Sequence, residues 1–189
     1  MKKLLLIFIT VFTFNTANTS VFGAQSYDDI IDRFYYVNEE LTLYYFEKGE
    51  YKKVIEICKC FIELSLIIDD SDFIDDIYSI ITQSYERLFG LDLNDSEDLK
   101  KLVKICPNDS FVLARLAFDY ANYEEYDKAL EYAKKALELD NKNVLAFIAI
   151  VGAYGEMGNI DKAKEYLEKI LEMYPDSTFI KEEFKSLYD

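Results

Sequence analysis

The C-terminal half of the chain repeats itself. Asp127 to Glu138 (DKALEYAKKALE) realigns with Asp161 to Glu172 (DKAKEYLEKILE) at a shift of 34 residues, and eight of the twelve positions are identical. The same shift carries Tyr120 onto Tyr154 and Tyr154 onto Tyr188. A period of this length belongs to stacked supersecondary units, each of which buries its apolar face only against its neighbours. A chain that is 51% hydrophobic has enough apolar surface for such a core, which excludes disorder as a description of the whole. With only 6 glycines and 2 prolines in 189 residues, the turn every 8–12 positions that a sandwich or barrel needs cannot be supplied, so the units are helical.

Each unit reads as two helices. Leu113, Leu116, Ala117 and Tyr120 fall at i, i+3, i+4 and i+7, one stripe of a helix. The polar stretch Asn122 to Glu125 breaks the pattern, and Asp127 opens a second helix near its positive end. Ala129, Tyr132, Ala133, Ala136 and Leu137 form that helix's stripe, and Asp140-Asn141 closes the unit. The next copy uses Phe147, Ile150, Val151 and Tyr154, then a Gly158-Asn159 turn, then Ala163, Tyr166, Leu167, Ile170 and Leu171, and ends at Pro175. Proline lacks an N–H and restricts the residue before it, so it suits a corner between units.

The 34-residue period, the spacing Leu113, Leu116-Ala117, Tyr120, Ala129, Ala133 and the Pro175 corner resemble tetratricopeptide repeats. The likeness covers residues 110–177, and Phe179, Phe184 and Tyr188 continue it as a lone helix in the place of a solenoid cap. The first copy departs from the family pattern with Leu113 at the early aromatic position and Asn141 at the closing proline. The resemblance implies an all-α, right-handed superhelical solenoid of antiparallel helix pairs, whose first helices line a concave groove for a peptide or a partner helix. The N-terminal half follows the spacing more loosely, through Leu41, Tyr45, Gly49, Tyr51, Val54, Cys58 and Phe61, then a helix with Ile77, Ile80, Ile81, Ser84, Tyr85 and Leu88 on one face. A shorter helix from about Ser96 to Ile105 ends at Cys106-Pro107. The expected organisation is a signal peptide at 1–23, two degenerate helix pairs at 27–107, two clear units at 110–177 and a capping helix at 178–189.

Lys2 and Lys3 precede an apolar run from Leu4 to Phe14, followed by a polar stretch and Val21-Phe22-Gly23-Ala24. This is the pattern of a secretory signal peptide cut before Ala24. Eleven helical residues reach roughly 16 Å, half of a ~30 Å hydrocarbon core, which argues against a retained anchor. The expected mature protein is exported, periplasmic or extracellular, and not membrane-bound. Loss of two lysines and no acid takes its net charge from −15 to −17. Export also raises a disulfide between Cys106 and either Cys58 or Cys60, against the alternative of three small core residues.

Charge and composition exclude several functions. A net charge of −15 is the wrong sign for phosphate contacts, so neither nucleic acid nor an anionic lipid surface is an expected partner. The absence of histidine removes the commonest general base and metal ligand. The acidic clusters Asp69-Asp70-Ser71-Asp72 with Asp75-Asp76, and Asp92 to Asp98, lack the glycine and the bidentate glutamate of a calcium loop, and read as helix caps. No phosphate-cradling glycine loop is present, since Gly152, Gly155 and Gly158 fall within or just after a helical stretch, where they let helices approach closely and end a turn. No cofactor, metal or catalytic residue is expected.

What remains is a non-catalytic interaction module, an adaptor or scaffold. Its binding face follows from rotating about 100° per residue away from the core stripe of each first helix. That rotation selects Phe111, Ala114, Phe118 and Asn122, then Leu145, Ile148, Gly152 and Glu156, with Tyr36, Glu39, Leu43 and Glu47 in the first unit. Exposed apolar surface of this kind marks an interaction site, and the acids at its edges favour a partner carrying Lys or Arg beside hydrophobic anchors. The alternatives are that neighbouring units cover this face, and that the array is a structural subunit of an envelope or secreted assembly contacting partners through its edges.

Overall fold

The structure, a computed structural model, describes residues 39–68 and 71–187. The expected signal peptide, Tyr36 and the Asp69-Asp70 pair lie outside those residues. Among the described residues the chain is all-helical: 39–47 (α1), Tyr51–Ile68 (α2), Ser71–Phe89 (α3), Ser96–Ile105 (α4), Ser110–Asn122 (α5), Tyr126–Leu139 (α6), Val144–Glu156 (α7), Ile160–Met173 (α8) and Thr178–Glu183 (α9). A 3₁₀ turn, Lys185–Leu187, follows. Within the described part of the expected cap over 178–189 the helix ends at Glu183, and Tyr188 lies outside the described residues. Phe184 leaves helical geometry at φ −113°, and the chain bends so that Leu187 N–H donates to the Phe184 carbonyl.

Short polar residues start the helices. Asp95 accepts from the N–H groups of Glu97 and Asp98, Asp109 from Phe111 and Val112, Asn143 from Ala146, Asn159 from Lys162, and Ser177 from Ile180. Each cap satisfies one or two of the donors that a helix start leaves without a partner. The Asp92 to Asp98 cluster is accounted for in this way. Asp92 holds Asn94 N–H, Asp98 accepts Asp92 N–H, and Asp95 is the cap.

The turns inside the units share one backbone solution. Gly49, Gly90, Glu124 and Gly158 are left-handed, with φ of 72°, 66°, 61° and 73°. In three of these turns the next residue's N–H returns to a tyrosine carbonyl: Glu50 to Tyr45, Glu125 to Tyr120 and Asn159 to Tyr154, at 2.8–2.9 Å. The tyrosine register seen in the sequence is thus also the register of the turn.

α5 packs on both α6 and α7, and α7 on α6 and α8, so the first helices of the two clear units lie side by side. Ala129, Ala133, Ala136 and Ala163 are fully buried, and the stripe Leu113, Leu116, Ala117, Tyr120 lies in the core with its copy Phe147, Ile150, Val151, Tyr154. In the N-terminal half, α2 and α3 bury Val54, Cys58, Phe61, Ile77, Ile81 and Tyr85. Ser65 and Ser84 are buried too, and their hydroxyls donate to the carbonyls of Phe61 and Ile80 one turn back. Cys58, Cys60 and Cys106 form no disulfide. Cys58 faces the core, where burial pushes its thiol up to about 12, while Cys60 is exposed two residues along the same helix.

Candidate functional site

A concavity of about 420 Å³ lies between α3, α5 and the start of α7. α5 and α7 are the first helices of the two units related by the 34-residue period, and α3 packs on α2. α3 supplies Asp75, Tyr78, Ser79, Thr82, Gln83 and Glu86; α5 supplies Phe111, Arg115 and Phe118; α7 supplies Leu145, and Asn94 closes one side. Phe118 and Leu145 are half-buried and rest on the core, so each turns part of an apolar side chain towards the opening.

The face selected from sequence divides between this wall and the packing beneath it. Phe111, Phe118 and Leu145 line the concavity. Ala114 and Ile148 do not, being 0% and 8% exposed, because α5 and α7 pack against each other along that side. Phe111 is itself only 4% exposed: its ring stacks on Tyr85 at 5.7 Å and on Tyr78 at 6.0 Å between centroids. The expectation of a wholly exposed face is corrected at these three residues, where neighbouring helices cover it. Asn122 and Glu156 are exposed at the far ends of α5 and α7. Glu39 and Leu43 are exposed on α1 and are not among the residues that line the cavity.

Sequence reasoning missed the whole contribution of α3, and Arg115. The signal was present. Asp75, Ser79, Thr82, Gln83 and Glu86 recur at helical spacing opposite Ile77, Ile81 and Tyr85, so the rotation applied to α5 and α7 would have found them.

Below this wall a polar junction ties three helices. Lys59 Nζ (α2) lies 2.9 Å from both carboxylate oxygens of Asp109 and 3.1 Å from the hydroxyl oxygen of Tyr85 (α3). Tyr85 Oη donates to Asp109 Oδ2 at 2.5 Å. Burial works to raise the Asp109 carboxyl, but the Tyr85 hydroxyl and the Lys59 ammonium outweigh it and hold the group below the usual carboxylate range. The Tyr85 hydroxyl is pushed up, first by burial and then by the neighbouring carboxylate. All three groups are occupied in holding helices together.

Among the described residues no group of His, Cys, Asp and Glu is arranged to hold a metal ion. None of the described helices is long and apolar enough to cross a membrane. Gly152 lies within α7, and a Cβ built on it meets nothing within 4 Å. Close helix approach therefore does not explain this glycine. Gly155 would meet only Leu187, at 3.8 Å.

The described chain is an all-helical array of stacked helix hairpins. Residues 112–180 match the family model of the tetratricopeptide repeat, which supports the resemblance read from the 34-residue period. The Tonsoku-like protein of Drosophila melanogaster is 29% identical over 151 residues, covering 66% of this chain and 11% of its own length. Among solved structures, the MamA protein is 19% identical, with a TM-score of 0.48 and coverage of 80% of this chain and 79% of that one. A thermophilic tetratricopeptide repeat protein from Thermus thermophilus is 21% identical, with a TM-score of 0.47 and 78% of each chain covered. The second tetratricopeptide repeat domain of human RPAP3, solved with an HSP70 peptide, is 19% identical, with a TM-score of 0.45 and coverage of 67% and 98%.

Proposed function

We propose that this protein is a non-catalytic interaction module that takes a peptide or a partner helix in the groove walled by α3, α5 and α7. The observation that carries the reading is the concavity itself, about 420 Å³ bounded by α3 and by α5 and α7, the first helices of the two clear units. A groove walled by three helices suits an elongated ligand, since each helix offers one strip of it. Phe118 and Leu145 would receive the hydrophobic anchors, and apolar surface withdrawn from water at such a point supplies most of the binding energy. Gly152 leaves the α7 backbone bare on the face selected from sequence, which suits close approach of another chain. Asp75 and Glu86 outnumber Arg115 along the wall, and the whole chain carries −15, so a partner with Lys or Arg beside its anchors is favoured in encounter.

Export belongs to the same proposal. It rests on Lys2-Lys3, the apolar run Leu4 to Phe14 and the small residues before Ala24. Intact-mass measurement of protein recovered outside the cytoplasm tests it: the mass of a chain beginning at Ala24 is expected, and a mass retaining Met1 to Gly23 would refute it.

The groove is tested with Phe118→Ser and Leu145→Ser combined. Both positions are half-buried, so the double variant is expected to melt a few degrees lower and stay helical by circular dichroism. Wild-type and variant proteins are then compared as baits in extract from the exported fraction. Partners held by the folded wild type and lost by the folded variant support the groove, and an unchanged set of partners overturns it.

A further inference from the structure

We propose that the edge of the array formed by the turns α5–α6 and α7–α8 is a second docking surface, for a protein segment that sets Lys or Arg side chains among apolar ones. The residues of this edge are not among those that line the groove. Tyr123, Met157 and Ile160 are 63%, 47% and 40% exposed, among the most open large apolar side chains of the described structure. Their positions are related by the repeat: the 34-residue shift carries Tyr123 onto Met157 and Tyr126 onto Ile160. Two successive turns therefore present a strip of apolar side chains along one edge, where a turn in a solvated array would be polar.

Charge identifies the occupant. Glu124 and Glu156 flank the strip, and both stand close enough to the Tyr126 hydroxyl to raise its pKa, after the effect of burial. Neither carboxylate forms an ion pair among the described residues, whereas neighbouring Glu125 is taken by Lys128. An apolar strip rimmed by unneutralised carboxylates complements a cationic, apolar segment and disfavours a second copy of this acidic chain.

Glu124 is exposed and occupies the left-handed backbone position that Gly49, Gly90 and Gly158 fill in the other turns, at φ 61°.

The test uses the full chain and a fluorescein-labelled peptide of alternating Lys-Leu pairs, with a Glu-Leu peptide as its counterpart. Fluorescence anisotropy is expected to show binding of the Lys-Leu peptide and none of the Glu-Leu peptide. Tyr123→Ser with Met157→Ser should weaken binding by about tenfold, as loss of central apolar anchors does. Glu124→Gln with Glu156→Gln should weaken it by about fivefold and flatten its salt dependence. The groove also suits cationic, apolar chains, so both edge variants are repeated in a Phe118→Ser, Leu145→Ser background, where any share taken by the groove is gone and the same losses are expected. Amide chemical-shift mapping on the wild-type protein gives a readout that needs no variant, with perturbations expected around residues 121–127 and 155–161. No binding of the Lys-Leu peptide, equal binding of the Glu-Leu peptide, wild-type affinity in both edge variants, or shifts centred elsewhere would each overturn the proposal.

Discussion

Lys59 Nζ lies 2.9 Å from both carboxylate oxygens of Asp109, 50 residues further along the chain. Asp109 also caps α5 by accepting from Phe111 and Val112 N–H, so one carboxylate fixes the start of a helix and binds it to α2 and α3. The pair is about a quarter to a third exposed, at 33% and 23% of side-chain area, which removes part of the solvent screening that makes surface pairs weak. Asp109→Ala removes the cap and strands Lys59 and Tyr85, and should cost about 2–4 kcal/mol. Asp109→Asn keeps a capping oxygen and should cost less. Urea unfolding measures both, and a loss under about 0.5 kcal/mol for Asp109→Ala would show that the junction contributes nothing to stability.

The same carboxylate gives a pH dependence with a definite sign. Its folded-state pKa is held below the unfolded value of about 3.9 by Tyr85 and Lys59, against the opposing effect of burial. Such a group stabilises the fold above its unfolded pKa and loses that contribution as pH falls through the folded value. The stability difference between wild type and Asp109→Asn should therefore be constant from neutral pH down to about pH 5 and shrink below about pH 4. Taking the difference cancels the other acidic groups, whose mutual repulsion relaxes in the same window. A difference that grew on acidification would contradict the geometry of the junction.

The fold was legible in the sequence where one side chain decides both local and tertiary structure. Tyr120 and Tyr154 show this: each lies in the core stripe and supplies the carbonyl that closes the following turn. Alanines at 129 and 163 repeat because each is fully buried on the packed side of its helix, α6 or α8, where a larger side chain would have to displace its neighbours. The candidate site was half legible. Phe118 and Leu145 could be placed on the second face by rotation alone, because that face follows from the period of a helix. Phe111, Ala114 and Ile148 share the face, and their burial depends on which helix lies beside them, a fact the period of a single helix does not contain. Stacking of Tyr78 and Tyr85 on Phe111 is likewise a relation between units 26 to 33 residues apart, and no local pattern announces it.

Ala163 is fully buried and Lys164 is partly exposed one residue along α8. Ala163→Leu forces extra methylenes into a closed helix crossing and should cost about 1–3 kcal/mol. Lys164→Leu keeps a good helix former and should change stability by less than about 0.5 kcal/mol. Thermal melts of the two variants check the register of the helix. Equal effects would mean that the buried stripe of α8 runs elsewhere.

Glycine is missing at one position that calls for it and present at another that does not. Glu124 sits at φ 61°, where a side chain crowds the following carbonyl, while the equivalent Gly158 has φ 73° and none to crowd. Glu124→Gly should therefore stabilise by about 1 kcal/mol, and Gly158→Ala should destabilise by a similar amount. Gly152 lies mid-helix in α7 with no φ reason for glycine and open space around its missing Cβ. Gly152→Ala should stabilise by about 0.5–1 kcal/mol, through a narrower unfolded ensemble and a better helix propensity. The binding measurements give these variants their functional meaning. Glu124→Gly is expected to raise the melting temperature while weakening the Lys-Leu peptide, because the strain and the exposed carboxylate leave together. Gly152→Ala is expected to raise the melting temperature while weakening groove partners that run on past Leu145 along α7, beyond the residues that line the cavity. Should Gly152→Ala stabilise the fold and leave groove partners untouched, the bare α7 backbone would have no part in binding.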